Sequence, residues 1–208
     1  AGTYDAQKPY AGTDGDGNYT VTDLMVASRS GQAGLFAVNS GKITNLTVMG
    51  AQVGEAGEPV KTNGGIIAGA NAPLGTIENC NVSGAVTGGA SAGGIAGANS
   101  GKIIGCKSGV FPGLQTANAV QYTYKNTYSY TEKVLKDGKP VTVKKELPCV
   151  ISSGGSGERN AAVGGIAGTN TGTITQCVNI SQIENQSAGG KTGGLAGLVS
   201  AGGLTESY

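Results

Sequence analysis

The sequence predicts an all-β chain: a parallel β-solenoid of about five coils, interrupted by an inserted β-hairpin. Three observations predict it. A glycine-rich phrase recurs as "GGIAGANSGKI" (93–103) and "GGIAGTNTGTI" (164–174), with looser copies "AGLFAVNSGKI" (33–43), "GGIIAGANAPLGTI" (64–77) and "GGLAGLVSAGGL" (193–204). Each copy runs into a second signature, "ITNLTV" (43–48), "IENCNV" (77–82), "IIGC" (103–106), "ITQC" (174–177) or "LTES" (204–207). Glycine supplies 39 of 208 residues without a Gly-X-Y period, which excludes collagen, and recurs at fixed offsets from Ile, Leu and Val, which argues against disorder.

The first apolar residues of the five copies are Leu35, Ile67, Ile95, Ile166 and Leu195. Three of the four intervals are close to 30 residues, and the step from Ile95 to Ile166 is longer by about 40. A unit of this size cannot bury an apolar face alone and has to stack on its neighbours. "GIAG" is too short and too rich in glycine for a stable helix, so the stacked units are strands.

The second signature shows how a unit bends. Ile43, Ile77, Ile103, Ile174 and Leu204 form one column, and Leu46, Cys80, Cys106, Cys177 and Ser207 form another, three positions on. A spacing of three breaks the strand period of two, so both columns face inward only if a bend lies between them. The residue before the second column is Asn45, Asn79, Gly105, Gln176 or Glu206. Asn and Gly tolerate left-handed backbone angles, so three of the five copies suit the bend. Asn39, Asn71, Asn99 and Asn170 form a further column at a turn, where stacked amides hydrogen-bond along a ladder. Each coil therefore reads as three short strands joined by a turn and a bend.

In chain order, residues 1–33 read as a lead-in strand and cap, with "YTVTDL" as the strand. Residues 34–106 and 161–208 read as coils, and approximately 107–160 as an excursion. This places the strand carrying Cys106 directly beside the strand carrying Cys177. Within the excursion, "QYTYKNTYSYTEKVLKDGKPVTVKKEL" (121–147) differs in composition from the rest of the chain. Two β-rich runs flank Asp137-Gly138, the strongest short hairpin signal. The candidate partner-binding residues lie here: Tyr122, Tyr124, Tyr128, Tyr130, Lys125 and Lys133. Tyrosine brings contact area at low entropic cost and lysine brings steering charge. The same tyrosines would also serve to cover the glycine-rich coils, with the lysines as a solvated rim.

The repeated phrases "GGIAGANSGKI", "GGIAGTNTGTI" and "GGLAG", with the lead-in "GDGNYTVTDLMVASRSGQAGLFAVNSGKITNLTV" (15–48), resemble the GLUG motif repeats of bacterial secreted and cell-surface proteins. The resemblance implies a right-handed parallel β-helix and an extracellular setting. It also implies one of two roles: an adhesin-like module, or an accessory domain beside the catalytic part of an IgA-cleaving metallopeptidase. Its partner would be a host protein or a glycan.

The residues argue against an enzyme. The chain has no histidine, so it holds no Ser-His-Asp or Cys-His arrangement and no H-E-x-x-H zinc site. Polysaccharide-degrading β-helices, the remaining enzymatic alternative, need clustered carboxylates. Here the aspartates are Asp5, Asp14, Asp16, Asp23 and Asp137, none of them in the repeated columns. "DGDGN" (14–18) lacks the Gly and Glu that a calcium loop requires, since those places hold Tyr19 and Met25, and it reads as a turn. No cofactor or metal is expected. Cys80, Cys106 and Cys177 share one inward column at strand spacing, wider than disulfide geometry prefers, and read as free buried thiols. Cys149 lies apart in the excursion. Thr44, Thr47, Thr173 and Thr175 do not align into an ice-binding ladder. The formal net charge of +1 points to neither nucleic acid nor a membrane surface. No apolar run approaches the roughly 20 residues of a membrane span. A start at Ala1 and a stop after "LTESY" give the expectation of a piece of a longer, secreted polypeptide.

Overall fold

A computed structural model describes residues 19–28, 31–55, 58–109, 127–136, 139–154 and 159–208, with backbone alone at 127–136 and 143–148. Among the described residues every regular element is a β-strand. Each full repeat contributes to four sheets, and within a sheet the neighbouring strands come from successive repeats and run parallel. The first sheet holds Asn63–Gly65, Ser91–Gly93, Ala162–Gly164 and Lys191–Gly193. The second holds Phe36–Asn39, Ala68–Asn71, Ala96–Asn99, Ala167–Asn170 and Ala196–Val199. The third holds Lys42–Thr44, Thr76–Glu78, Lys102–Ile104, Thr173–Thr175 and Gly203–Thr205. The fourth is built on the longer strands Leu46–Val53 and Asn81–Gly88, with the lead-in strand Tyr19–Thr22 on its edge.

The pairing registers coincide with the sequence columns. Ala96 pairs with Ala68 and Ala167, and Ile103 pairs with Ile77 and Ile174. The isoleucines fill the interior: Ile67, Ile77, Ile95, Ile103, Ile166 and Ile174 are fully buried. Burial fades in the last repeat, where Leu204 is 41% exposed because no further strand covers it.

Three strands per repeat were expected, and there is a fourth. The paired glycines of the later four copies lie at the end of this strand and the corner to the next, a place for which the sequence reading gave no strand. Close packing explains the choice. A Cβ on Gly65 would lie 2.6 Å from both the Ala96 Cα and the Gly97 nitrogen, and one on Gly93 would lie 2.7 Å from the Ala167 Cα and 2.8 Å from the Gly168 nitrogen. The first and second sheets therefore meet backbone to backbone, with no room for a side chain between them. At the corner the Ile95 carbonyl accepts hydrogen bonds from both Ile67 N–H and Ala68 N–H, each at 3.1 Å, which carries the ladder around the turn.

The left-handed bend occurs in all five copies: Asn45, Asn79, Gly105, Gln176 and Glu206 have φ of 55°, 52°, 61°, 54° and 49°. At Gln176 and Glu206 the stacked neighbours impose a conformation that those residue types disfavour. Gln176→Gly is therefore expected to raise stability by about 0.5–1 kcal/mol, the relief of left-handed strain less the extra freedom of unfolded glycine. A lower urea midpoint for this variant would show that the Gln176 side chain matters more than its backbone angle. The hydrogen bond from its side-chain amide to the Glu206 carboxylate, at 2.9 Å, is exposed and contributes little.

Candidate interaction site at an interrupted strand

The interruption falls at one corner of the fourth sheet. Between Val48–Val82 and Ala51–Gly84 the register shifts, because Leu46–Val53 carries an extra residue around Gly50, at φ 65°. Gly84 sits opposite at φ 144°, a region of backbone space that a side chain would forbid. This is a β-bulge, a place where a strand admits extra residues while the pairing on both sides persists.

The next repeat uses the same corner for a far larger insertion. Lys107–Ser108 pairs with Asn81 and Val82 on one side and with Val178 and Asn179 on the other. Pairing resumes at Val150–Ser153, where Ile151 faces Val86 and Ile183. The chain leaves through Gly109, whose N–H donates to the Val82 carbonyl at 2.8 Å, and returns through Cys149, whose carbonyl accepts the Gln182 N–H at 3.0 Å. Two strand segments of the stack, Lys107–Ser108 and Val150–Ser153, thus lie inside the interval read as 107–160. The return strand "VISS" carries no copy of the repeated phrase, so its place in the stack had no signal in the sequence. On the other side of the bend the Cys106 and Cys177 strands are direct neighbours, as the Val178 N–H bond to the Cys106 carbonyl at 3.0 Å shows.

Between exit and return, Thr127–Lys136 and Lys139–Pro148 form an antiparallel two-stranded ribbon; the Asp137-Gly138 turn expected between them lies outside the described residues. Both strands approach Asn81–Gly88, so the ribbon is rooted beside the bulge. Of the candidate residues, Tyr122, Tyr124 and Lys125 lie outside the described residues. Tyr128, Tyr130 and Lys133 lie on the first ribbon strand, in register with Leu147, Lys145 and Thr142. The structure thus brings three of the six onto one element. Lys136 and Lys139, which the sequence reading did not single out, are a directly opposed pair.

All four cysteines are free and buried. In the column the thiols hydrogen-bond to backbone: Cys106 donates to the Ile77 and Ile104 carbonyls at 3.5 and 3.4 Å, and Cys106 N–H donates to the Cys177 Sγ at 3.4 Å. In the last copy Ser207 takes the same part, its Oγ accepting the Cys177 N–H at 3.1 Å. Burial, and then the neighbouring Cys177 and Cys80 thiols, push the Cys106 thiol well up. Cys149, buried where the ribbon rejoins the stack, is pushed up to about 11 by burial, against a hydrogen bond from the Gly84 backbone. Cys80 and Cys177 are instead lowered, first by their hydrogen bonds with the Cys106 thiol, against burial, whereas Cys106 and Cys149 are protonated at neutral pH. Among the described residues no group of three or more His, Cys, Asp or Glu is placed to hold a metal ion. No described helix is long and apolar enough to cross a membrane.

No protein-family model and no curated protein matches the sequence. The fold is similar to a crystal structure of a "putative immunoglobulin A1 protease" from Bacteroides ovatus, with a TM-score of 0.51 and 18% sequence identity. The match covers 91% of this chain and 57% of that one, so the chain spans a little over half of the protein it resembles. At this identity the likeness is one of fold.

Proposed function

We propose that the chain winds as a right-handed parallel β-helix of about five coils built from GLUG-type repeats. In this reading it is a non-catalytic module of a secreted bacterial cell-surface protein, a stiff spacer that carries the ribbon as an adhesive element toward a host protein or glycan. One observation carries the reading. The strand segments on either side of 109–149 keep their partners in both neighbouring repeats, so the stack bears the ribbon without depending on it for pairing. A rigid scaffold with a variable excursion is the usual way in which a fold presents a binding surface. The absence of histidine from the sequence supports the non-catalytic part of the reading.

The test is replacement of 121–147 by a short Gly-Ser linker. The stack is expected to stay folded, because loop changes cost little closure entropy. Binding on a host-protein and glycan array is expected to drop, and Tyr124→Ala with Tyr128→Ala to reproduce part of the loss. A marked fall in melting temperature would instead make the ribbon a cover for the glycine-rich strands. Undiminished binding would remove it from recognition altogether. The fold likeness to the Bacteroides ovatus protein favours a second reading, an accessory domain of a larger secreted enzyme. The full-length gene product separates the two: a downstream H-E-x-x-H supports the second, and a cell-wall sorting signal the first.

A further inference from the structure

The ribbon's register concentrates like charge. Lys136 faces Lys139 beside the turn, Tyr130 faces Lys145, Thr131 faces Lys144 and Lys133 faces Thr142. Directly opposed residues of an antiparallel pair share a face, and positions alternate between faces along each strand. Lys136, Lys139 and Lys145 therefore lie on one face with Tyr128, Tyr130, Glu132 and Val141, and Lys133 and Lys144 lie on the other as diagonal neighbours, with Glu146. The two strands hold five lysines against two glutamates, Glu132 and Glu146, whereas the whole chain has a formal net charge of only +1.

This arrangement is costly for a two-stranded ribbon. Like charges directly opposed weaken an antiparallel pair, and a two-stranded ribbon is marginal in water to begin with. A polyanion lying along the ribbon would remove that repulsion and gain from it. Where side chains are described both faces are open: Lys139 and Val141 on this face, and Pro140 and Thr142 on the other, are exposed.

We infer that the ribbon face carrying Tyr128, Tyr130, Lys136, Lys139 and Lys145 binds an acidic polysaccharide, a partner whose negative charge complements the lysine excess of the ribbon. The inference rests on the reading of the ribbon as the binding element and adds the chemistry of its partner. The ribbon strands carry five of the 14 basic residues, and the isoelectric point of about 7.8 is far below that of typical nucleic-acid-binding domains, so a saccharide fits better than a nucleic acid.

The experiment measures binding of the full chain to heparin, as a sulfated polysaccharide probe, alongside neutral dextran and duplex DNA. Heparin is expected to bind, to weaken steeply as salt rises through about 0.15 M, and to be preferred over both controls. The double variant Lys136→Gln, Lys139→Gln is expected to lose about tenfold in affinity while keeping its fold by circular dichroism. Lys133→Gln with Lys144→Gln, on the other face, is expected to lose clearly less. No heparin binding at low salt, equal binding of DNA, or equal losses from the two faces would each overturn the inference. The linker replacement of 121–147 tells the two failures apart. If heparin does not bind but the replacement still abolishes array binding, the partner chemistry is wrong and the binding element stands. If heparin binds undiminished after the replacement, the ribbon is not the site.

Discussion

Ile95→Ala is expected to destabilise the protein by about 2–5 kcal/mol, and Ile166→Ala by less within the same range. Both side chains are fully buried at the corner between the first two sheets. Each truncation removes buried methyl groups and leaves a cavity, and its cost depends on how far the surroundings can collapse. Ile95 is held between two other fully buried isoleucines, Ile67 and Ile166, on a backbone bonded to both neighbours. Its cavity cannot close without moving three strands. Ile166 has Ile95 on one side and the part-buried Leu195 of the last repeat on the other, which has room to settle. Urea unfolding of the two variants checks both the magnitude and the order. Near-neutral costs at both positions would place the column at the surface and undo the assignment of the repeated phrase to the core. A reversed order would mean that the last repeat is more firmly packed than its exposure implies.

The columns were legible because stacking converts position in a repeat into position in space. Ile95 and Ile166 are far apart in the chain, yet the Ile166 carbonyl accepts the Ile95 N–H at 3.0 Å. Periodic apolar residues and recurrent asparagines register that stacking directly. Three features were not legible, each for a physical reason. The glycine pair at the first sheet gave no strand signal, because the force that selects glycine there is the approach of another backbone, which has no local signature. The left-handed bends at Gln176 and Glu206 contradict local preference, and only their neighbours in the stack impose them. The return strand Val150–Ser153 is short and unmarked, and its partners Val86 and Ile183 are remote in sequence. At the candidate site the hairpin was legible from Asp137-Gly138. The opposed pair Lys136 and Lys139 was not singled out, because its weight comes from the ribbon register and from the exposure at the ribbon tip.

Asn99→Ala is expected to cost about 3 kcal/mol, more than Asn170→Ala, although the same atoms are deleted in each. The four column asparagines are buried and form one directed chain of amides. Asn39 Nδ2 donates to Asn71 Oδ1 at 2.8 Å, Asn71 Nδ2 to Asn99 Oδ1 at 2.8 Å, and Asn99 Nδ2 to Asn170 Oδ1 at 2.7 Å. Removing Asn99 strips an acceptor from Asn71 and a donor from Asn170. It also leaves the Gly101 and Thr173 carbonyls without its N–H groups. Each polar group orphaned away from water costs roughly 1–3 kcal/mol, and only part of that loss is recovered by relaxation. Asn170 stands at the end of the chain of amides. Its Nδ2 donates to the Gly172 carbonyl at 3.2 Å, and its strand neighbour in the last repeat is Val199 rather than another asparagine. Asn170→Ala therefore orphans one amide where Asn99→Ala orphans two. The same geometry predicts a gain: Val199→Asn would offer Asn170 an acceptor and extend the ladder, raising stability by about 1 kcal/mol. Thermal or urea midpoints for the three variants decide the matter. Equal costs for Asn99→Ala and Asn170→Ala, together with a neutral Val199→Asn, would mean that the asparagines hold the turn one by one and that the ladder carries no energy of its own.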